Sequence, residues 1–344
     1  MALRPTASQA RQFAQLVDRL KPEVRQAFMR AVVDLHANVD WPALLAALES
    51  GNTFAAIQAL NVTEAAFSSY SQALTNAFLE SGTATAQMIV ATKQASIGLR
   101  FNMQNPRAQE WIRNNVGNKI TGYVQDQILA ARTVIESGYA AGNHPHTIAR
   151  ELVGRVGTGG VRQGGILGLD GPRAARLDAV TNGMKTADGV QGLVVDGRVR
   201  YKVNKATEDK ILRAYRNGTA VPARERVIAE RQYSNALLKS RADTVAATET
   251  SQAVMSARNE SWEQAAEEQG LDSSQVEKTW RHRRGSDGRQ THIEMAGVKV
   301  MGLDTPFILS DGSVMQYAHD PAGGAKNNIN CGCDTEYRLV RRVS

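Results

Sequence analysis

Residues 222–269 read PARERVIAERQYSNALLKSRADTVAATETSQAVMSARNESWEQAAEEQ, and this stretch decides the fold. Wound at about 100° per residue, Val227, Ile228, Leu238, Ala242, Val245 and Ala246 fall within one sector, which predicts a single long helix from about Pro222 to Gln269. A helix of that length connects two regions of a chain.

Upstream the pattern stays helical. From Phe13, the residues Leu16, Val17, Leu20, Val24, Phe28, Ala31 and Leu35 recur at three- and four-residue spacing. Pro22 sits inside that stripe, removing a backbone donor, so a kink within one packing surface is expected. Asp40-Trp41-Pro42 offers an N-cap followed by proline in the first turn, and Asn61-Val62-Thr63-Glu64 starts an alanine-rich segment running towards Gly98. A further helical stripe covers Asn105 to Tyr139 and stops at Ala141-Gly142-Asn143; His146–Val153 reads as a short helix.

The helical pattern lapses between Gly154 and Gly171, where glycines crowd around Val161-Arg162-Gln163. No strand precedes this run and no Gly-Lys-Ser/Thr closes it, so it fails both nucleotide-binding fingerprints and is expected to act as a flexible hinge. Leu193 to Val203 has the composition of a β-hairpin around Asp196-Gly197, and Thr207–Asn217 reads as a helix ended by Gly218.

Downstream of the long helix the period changes. Short apolar runs, Val298-Lys299-Val300, Phe307-Ile308-Leu309 and Val314-Met315, alternate with the turn sequences Ser286-Asp287-Gly288, Met295-Ala296-Gly297 and Ser310-Asp311-Gly312. Strands this short need a neighbouring helix to pack on, and the long helix is the nearest. The expected fold is therefore mainly α with a C-terminal α+β module. Its order is an elongated helical region (1–153), a segment with glycine-rich hinge, β-hairpin insertion and short helix (154–221), and the long helix plus a hairpin-rich domain packed on it (222–344).

Composition agrees with this and narrows the function. At 344 residues, with 42% hydrophobic and 22% charged side chains, the chain is long enough for about two domains with real cores; sparse aromatics (6%) and frequent alanine favour helix. No stretch approaches a membrane span and Met1–Ala10 lacks a signal-peptide pattern, so assembly in a cytoplasm is expected. The two cysteines, Cys331 and Cys333, are too close in sequence for an unstrained mutual disulfide. A net charge of +7 attracts polyanions such as nucleic acid, although a solvated basic surface explains it equally.

One ordered series of residues is specific. Thr248-Glu249-Thr250 is followed by Trp280, Asp287-Gly288-Arg289, His292, Gly297, Phe307, Gly312, Met315, Asp320-Pro321 and Asn330-Cys331-Gly332-Cys333. Over the last third of the chain this resembles the phage head morphogenesis proteins similar to the F protein of phage Mu. The family usually has a basic residue where this chain has Gly332, and some members carry a Cys-x-x-Cys pair near the position of His292. The resemblance implies a minor capsid protein of a tailed bacteriophage, with multiple copies in the virion head. Such a protein acts in head assembly near the portal vertex and in packaging or ejection of DNA, beside portal protein, major capsid protein and non-specifically contacted double-stranded DNA. It implies no catalysis.

Four chemical readings accompany it. His292, Cys331 and Cys333 are ligands zinc accepts, with His319 or His282 as the fourth of a structural site; equally, the thiols are small core residues and His292 a hydrogen-bonded one. His292 near Asp287, with His319 and Asn330, superficially resembles a metal-dependent His-Asn-His nuclease, the enzymatic alternative to a structural protein; the other is a DNA-binding protein ejected with the genome. Arg281, Arg283, Arg284, Arg289, Arg341 and Arg342 are candidates for phosphate or portal contact. Glu249, if buried, calls for backbone donors or a cationic partner such as Arg289; equally, it is a solvated helix residue.

Overall fold

The computed structural model of the protein describes residues 7–340 apart from 93, 97, 158, 159, 161 and 283–287. The protein is mainly helical, 66% helix against 8% strand, with a small sheet region near the C-terminus. No helix among the described residues is long and apolar enough to cross a membrane.

Helix α1 (Ala7–Ala37) runs through Pro22 as one helix. Phe13, Val17 and Leu20 before the proline and Val24 and Ala27 after it are all buried. Burial of each large side chain is worth about 1.5–3 kcal/mol, so the stripe together offsets the roughly 3 kcal/mol a mid-helix proline costs. Helices α2 (Trp41–Glu49) and α3 (Thr53–Ala59) are capped by Asp40 and Asn52, whose side chains accept from Ala43 N and Ala55 N at 3.0 Å each. A 3₁₀ turn, Glu64–Phe67, opens α4 (Ser68–Ala91). Helix α5 (Pro106–Trp111) passes through a π turn, Ile112–Gly117, into α6 (Asn118–Ala140), and α7 (Pro145–Val153) follows.

Next come the two-residue strands β1 (Arg155–Val156) and β2 (Arg162–Gln163), then α8 (Gly171–Gly183) and α9 (Ala187–Leu193). The expected hairpin is present as β3 (Val194–Val195) and β4 (Arg198–Val199), with φ +50° at Asp196 and +70° at Gly197, a tight turn matched to strand twist. After α10 (Lys205–Arg216) comes α11, Ala223–Gln269, within one residue of its expected start. The C-terminal elements are β5 (Val276–Arg281), α12 (Gln290–Glu294), β6 (Lys299–Met301), β7 (Phe307–Ile308), β8 (Val314–Met315), α13 (Gly324–Asn328) and β9 (Asp334–Leu339).

These elements form two compact units, each assembled from separated segments. One comprises the described residues up to Ala27, Tyr70–Lys119 and those from Thr244 on; the other comprises Phe28–Ser69 and Ile120–Asp243.

In the second unit the glycine-rich segment, expected as a hinge, is anchored. Ile166, Leu167 and Leu169 are buried, and Arg162, 1% exposed, donates from Nη1 to the carbonyls of Gly164 and Gly165 and to Ser234 Oγ of α11. Gly164 N donates to Asn235 Oδ1 (3.0 Å) and Gly168 N to Gln127 Oε1 (2.6 Å). Glycine is needed because a Cβ on Gly154 would lie 2.3 Å from the Gly164 oxygen and 154, 164 and 165 all have positive φ: the residues permit close backbone approach.

In the first unit, β5 pairs antiparallel with β9 along its whole length, Val276↔Leu339 to Arg281↔Asp334, and with β6 on its other edge. Val276 and Tyr337 pack with Trp262 and Ala265 of α11 and Ala86 and Ile89 of α4, and the Trp262 and Tyr337 rings stack at 6.0 Å. The long helix thus backs the six-residue strands β5 and β9, whereas Val300, Phe307, Leu309 and Met315 of the shorter apolar runs, expected to pack on it, gather around Trp280 in a separate small core.

Candidate metal centre

The end of β5 delivers Trp280 into the small core of the C-terminal module. Its N–H donates to Val298 O and its carbonyl accepts from Gly297 N, both at 2.9 Å, with Gly297 at φ +84°. The indole is fully buried with Met295, Phe307, Leu309, Met315, Ala318 and Cys333. It meets Phe307 edge-on at 5.3 Å and the His292 ring edge-on at 5.5 Å.

His292 comes from the one-turn helix α12; the two cysteines come from the loop between α13 and β9. That loop turns at Asn330, φ +53°, a backbone state asparagine tolerates better than most residues. Asn330 N donates to Thr248 Oγ1 of α11 at 3.3 Å. Cys331 Sγ and Cys333 Sγ then lie 3.4 and 3.5 Å from His292 Nδ1, and all three ligand atoms are within 4.8 Å of one another. Cys333 N–H also donates to Cys331 Sγ at 3.4 Å.

The opposite edge of His292 is fixed. Its Nε2 lies 3.2 Å from Asn327 Oδ1, while the Asn327 amide donates to Ser313 Oγ (3.0 Å) and Gly323 O (3.1 Å). With both amide hydrogens committed elsewhere, the oxygen must face the imidazole, so Nε2 carries the proton and Nδ1 presents its lone pair to the thiols. His319, φ +67° and 1% exposed, stands beside Cys331 and outside the triad; its Nε2 lies 3.1 Å from the Cys333 carbonyl.

The electrostatics follow from this packing. The Cys333 thiol donating to Cys331, helped by His292 and His319, holds the Cys331 thiol below its ordinary range against the effect of burial. Cys333, bonded to that sulfur and buried, is pushed up. The Cys331 hydrogen bond also raises His292. A cavity of about 270 Å³ opens beside the cluster, lined by Phe13, Val17, Met255, Arg281 and His282 as well as the cysteine loop.

Other expected site residues take structural positions. Glu249 is buried and pairs with Lys119, which also bonds Gln252; Arg289, the expected partner, donates instead to Ile329 O at 2.7 Å. Arg281 is ion-paired with Glu336 at 2.6 Å. Pro321 begins a 3₁₀ turn capped by Asp320, which accepts from Ala322 N (2.9 Å) and Gln316 N. Asp287, Arg283, Arg284, Arg341 and Arg342 lie outside the described residues.

Three further residues carry the module without a sequence signal. Asn327 orients His292. Lys278, fully buried in β5, donates from Nζ to Leu303 O, Gln316 O and Gln316 Oε1. Arg258 of α11, 2% exposed, pairs with Asp334 and lies over the Phe13 ring at 4.0 Å.

Comparison with protein-family models, curated proteins and solved structures gave no match.

Proposed function

We propose that this chain is a non-enzymatic minor component of a tailed-phage head. It would act in head assembly near the portal vertex, with its C-terminal module as a folded docking unit seated on α11. The observation that carries this reading is convergence. Thr248, Trp280, His292, Phe307, Asn330, Cys331 and Cys333, dispersed along the last third of the sequence, meet in or against one buried cluster. A motif that builds a core serves a shared fold, as expected of a structural protein.

The same packing speaks against nuclease chemistry. A general base must reach the proton it abstracts, directly or through one water. His292 is 2% exposed, and its ring nitrogens face Asn327 and the two thiols. The proposed partners are portal protein, major capsid protein and packaged double-stranded DNA, the last supported by the +7 charge.

Quantitative proteomics of purified heads before and after DNA release tests the assignment. The chain is expected in the head at few copies per particle. Absence from both heads and portal-containing assembly intermediates would remove it, and loss with the DNA would make it ejected cargo. Nicking of supercoiled DNA by the wild type, abolished in His292→Ala, would overturn the non-enzymatic part.

A further inference from the structure

The cluster of His292, Cys331 and Cys333 has the dimensions of an occupied tetrahedral site. Zinc bonds thiolate sulfur at about 2.3 Å and imidazole nitrogen at about 2.0–2.1 Å, so adjacent sulfur and nitrogen ligands in a tetrahedron stand about 3.5 Å apart. The two sulfur to Nδ1 separations here are 3.4 and 3.5 Å. A metal fits among these three ligand atoms with only small movements of their side chains.

His319 lies just outside this three-residue cluster, and its chemistry makes it the candidate for the fourth corner. Its Nε2 faces a backbone carbonyl, which only a protonated nitrogen satisfies, so Nδ1 carries a lone pair. That Nδ1 is buried and has no hydrogen-bond partner among the described residues. A buried acceptor left unpaired is costly, and a metal beside Cys331 would satisfy it. The histidine is also held at positive φ, a backbone state that needs a reason.

Both imidazoles are therefore backed in the same way, with Nε2–H on an oxygen acceptor, Asn327 Oδ1 for one and Cys333 O for the other, which leaves each Nδ1 with its lone pair. This is how metal-ligating histidines are oriented by their outer partners. The Cys333 N–H on Cys331 Sγ stabilises a thiolate in the same manner. Two thiolates and two neutral imidazoles around a divalent ion sum to zero charge, which suits a buried site, and the mixed sulfur and nitrogen donor set selects zinc over magnesium or calcium.

We propose that His292 Nδ1, Cys331 Sγ, Cys333 Sγ and His319 Nδ1 bind one structural Zn²⁺ that clamps α12, the segment before Pro321 and the cysteine loop around Trp280. The proposal does not depend on the head-protein reading: a zinc-free phage protein and a zinc protein of another kind are both distinguishable outcomes.

The test uses the untagged full-length chain. Elemental analysis after gel filtration is expected to find about one zinc per chain, released only by a strong chelator. The chelated protein, titrated with Co²⁺, should show thiolate-to-cobalt charge transfer and intense tetrahedral ligand-field bands, displaced by Zn²⁺, with the thermal midpoint rising as metal is added. These measurements need no variant, so misfolding cannot obscure them. A wild type purified without zinc, whose chelated form takes up neither ion, overturns the site. His319→Ala should weaken zinc by at least about tenfold and alter the cobalt bands; unchanged affinity and spectrum would overturn the four-ligand shell.

Discussion

Lys278→Met tests whether the C-terminal module buries an ammonium group as its geometry requires. Lys278 is fully buried, with Nζ 2.6 Å from Leu303 O, 3.0 Å from Gln316 O and 3.2 Å from Gln316 Oε1. Loss of water pulls its pKa down to about 8, partly opposed by the charges of Glu263, Asp304 and Asp320, against 10.5 for the free side chain. Between those two values the folded state binds fewer protons than the unfolded chain, so stability rises with pH. The cost of burying the charge is present in full below about 8 and fades as pH climbs to 10.5. At about 1.4 kcal/mol per pH unit, the gap is worth no more than about 3.5 kcal/mol. Methionine abolishes the titration but strips the Leu303 and Gln316 carbonyls of their donor, at about 1–3 kcal/mol each, so absolute stability near neutrality is a poor reporter. The slope is the reporter. Urea unfolding followed by circular dichroism from about pH 7 to pH 10.5 should show wild-type stability climbing relative to Lys278→Met by about 2–3 kcal/mol. A difference that stays flat to within about 0.5 kcal/mol would mean that the ammonium is solvated and the reasoning wrong.

Two other substitutions probe the packing of each unit. In the second unit, burial and the neighbouring charge of Glu151 push the Glu230 carboxyl up to about 7. A raised carboxylate costs stability as pH climbs from 4.5 through 7, so Glu230→Gln should raise the thermal midpoint at about pH 8 and much less at about pH 5; equal shifts at both would refute the burial argument. In the first unit, a Cβ on Gly82 of α4 would lie 2.4 Å from the Phe101 ring, so Gly82→Ala should destabilise by about 1–3 kcal/mol despite alanine's better helix propensity. A midpoint that rises in a thermal melt would show that the ring yields freely.

Much of the local structure was legible before any coordinates. The α11 boundaries, the hairpin at Asp196-Gly197, the cap at Asp40 and the three short strands after Gly297 all follow from hydrophobic period and turn chemistry, which act over a few residues. Pro22 sits inside one continuous helix whose apolar stripe is buried on both sides of it, the single packing surface that the spacing predicts. In the glycine-rich segment, composition reveals conformational freedom but not that Arg162 would be buried among the glycine carbonyls. Of the candidate site, residue types and order announced His292 and the Cys-x-Cys pair, whereas Asn327, an asparagine among several, announced nothing.

What the sequence determined alone was the menu: which stretches are helices, where turns fall, and which side chains have metal chemistry. Tertiary structure decided the partners. It set β9 rather than the nearest hairpin along the full length of β5, gave Glu249 to Lys119 instead of Arg289, and turned Nδ1 of His292 onto two thiols by way of Asn327. Each choice joins residues far apart in the chain, and only the packing of a shared core fixes such distances.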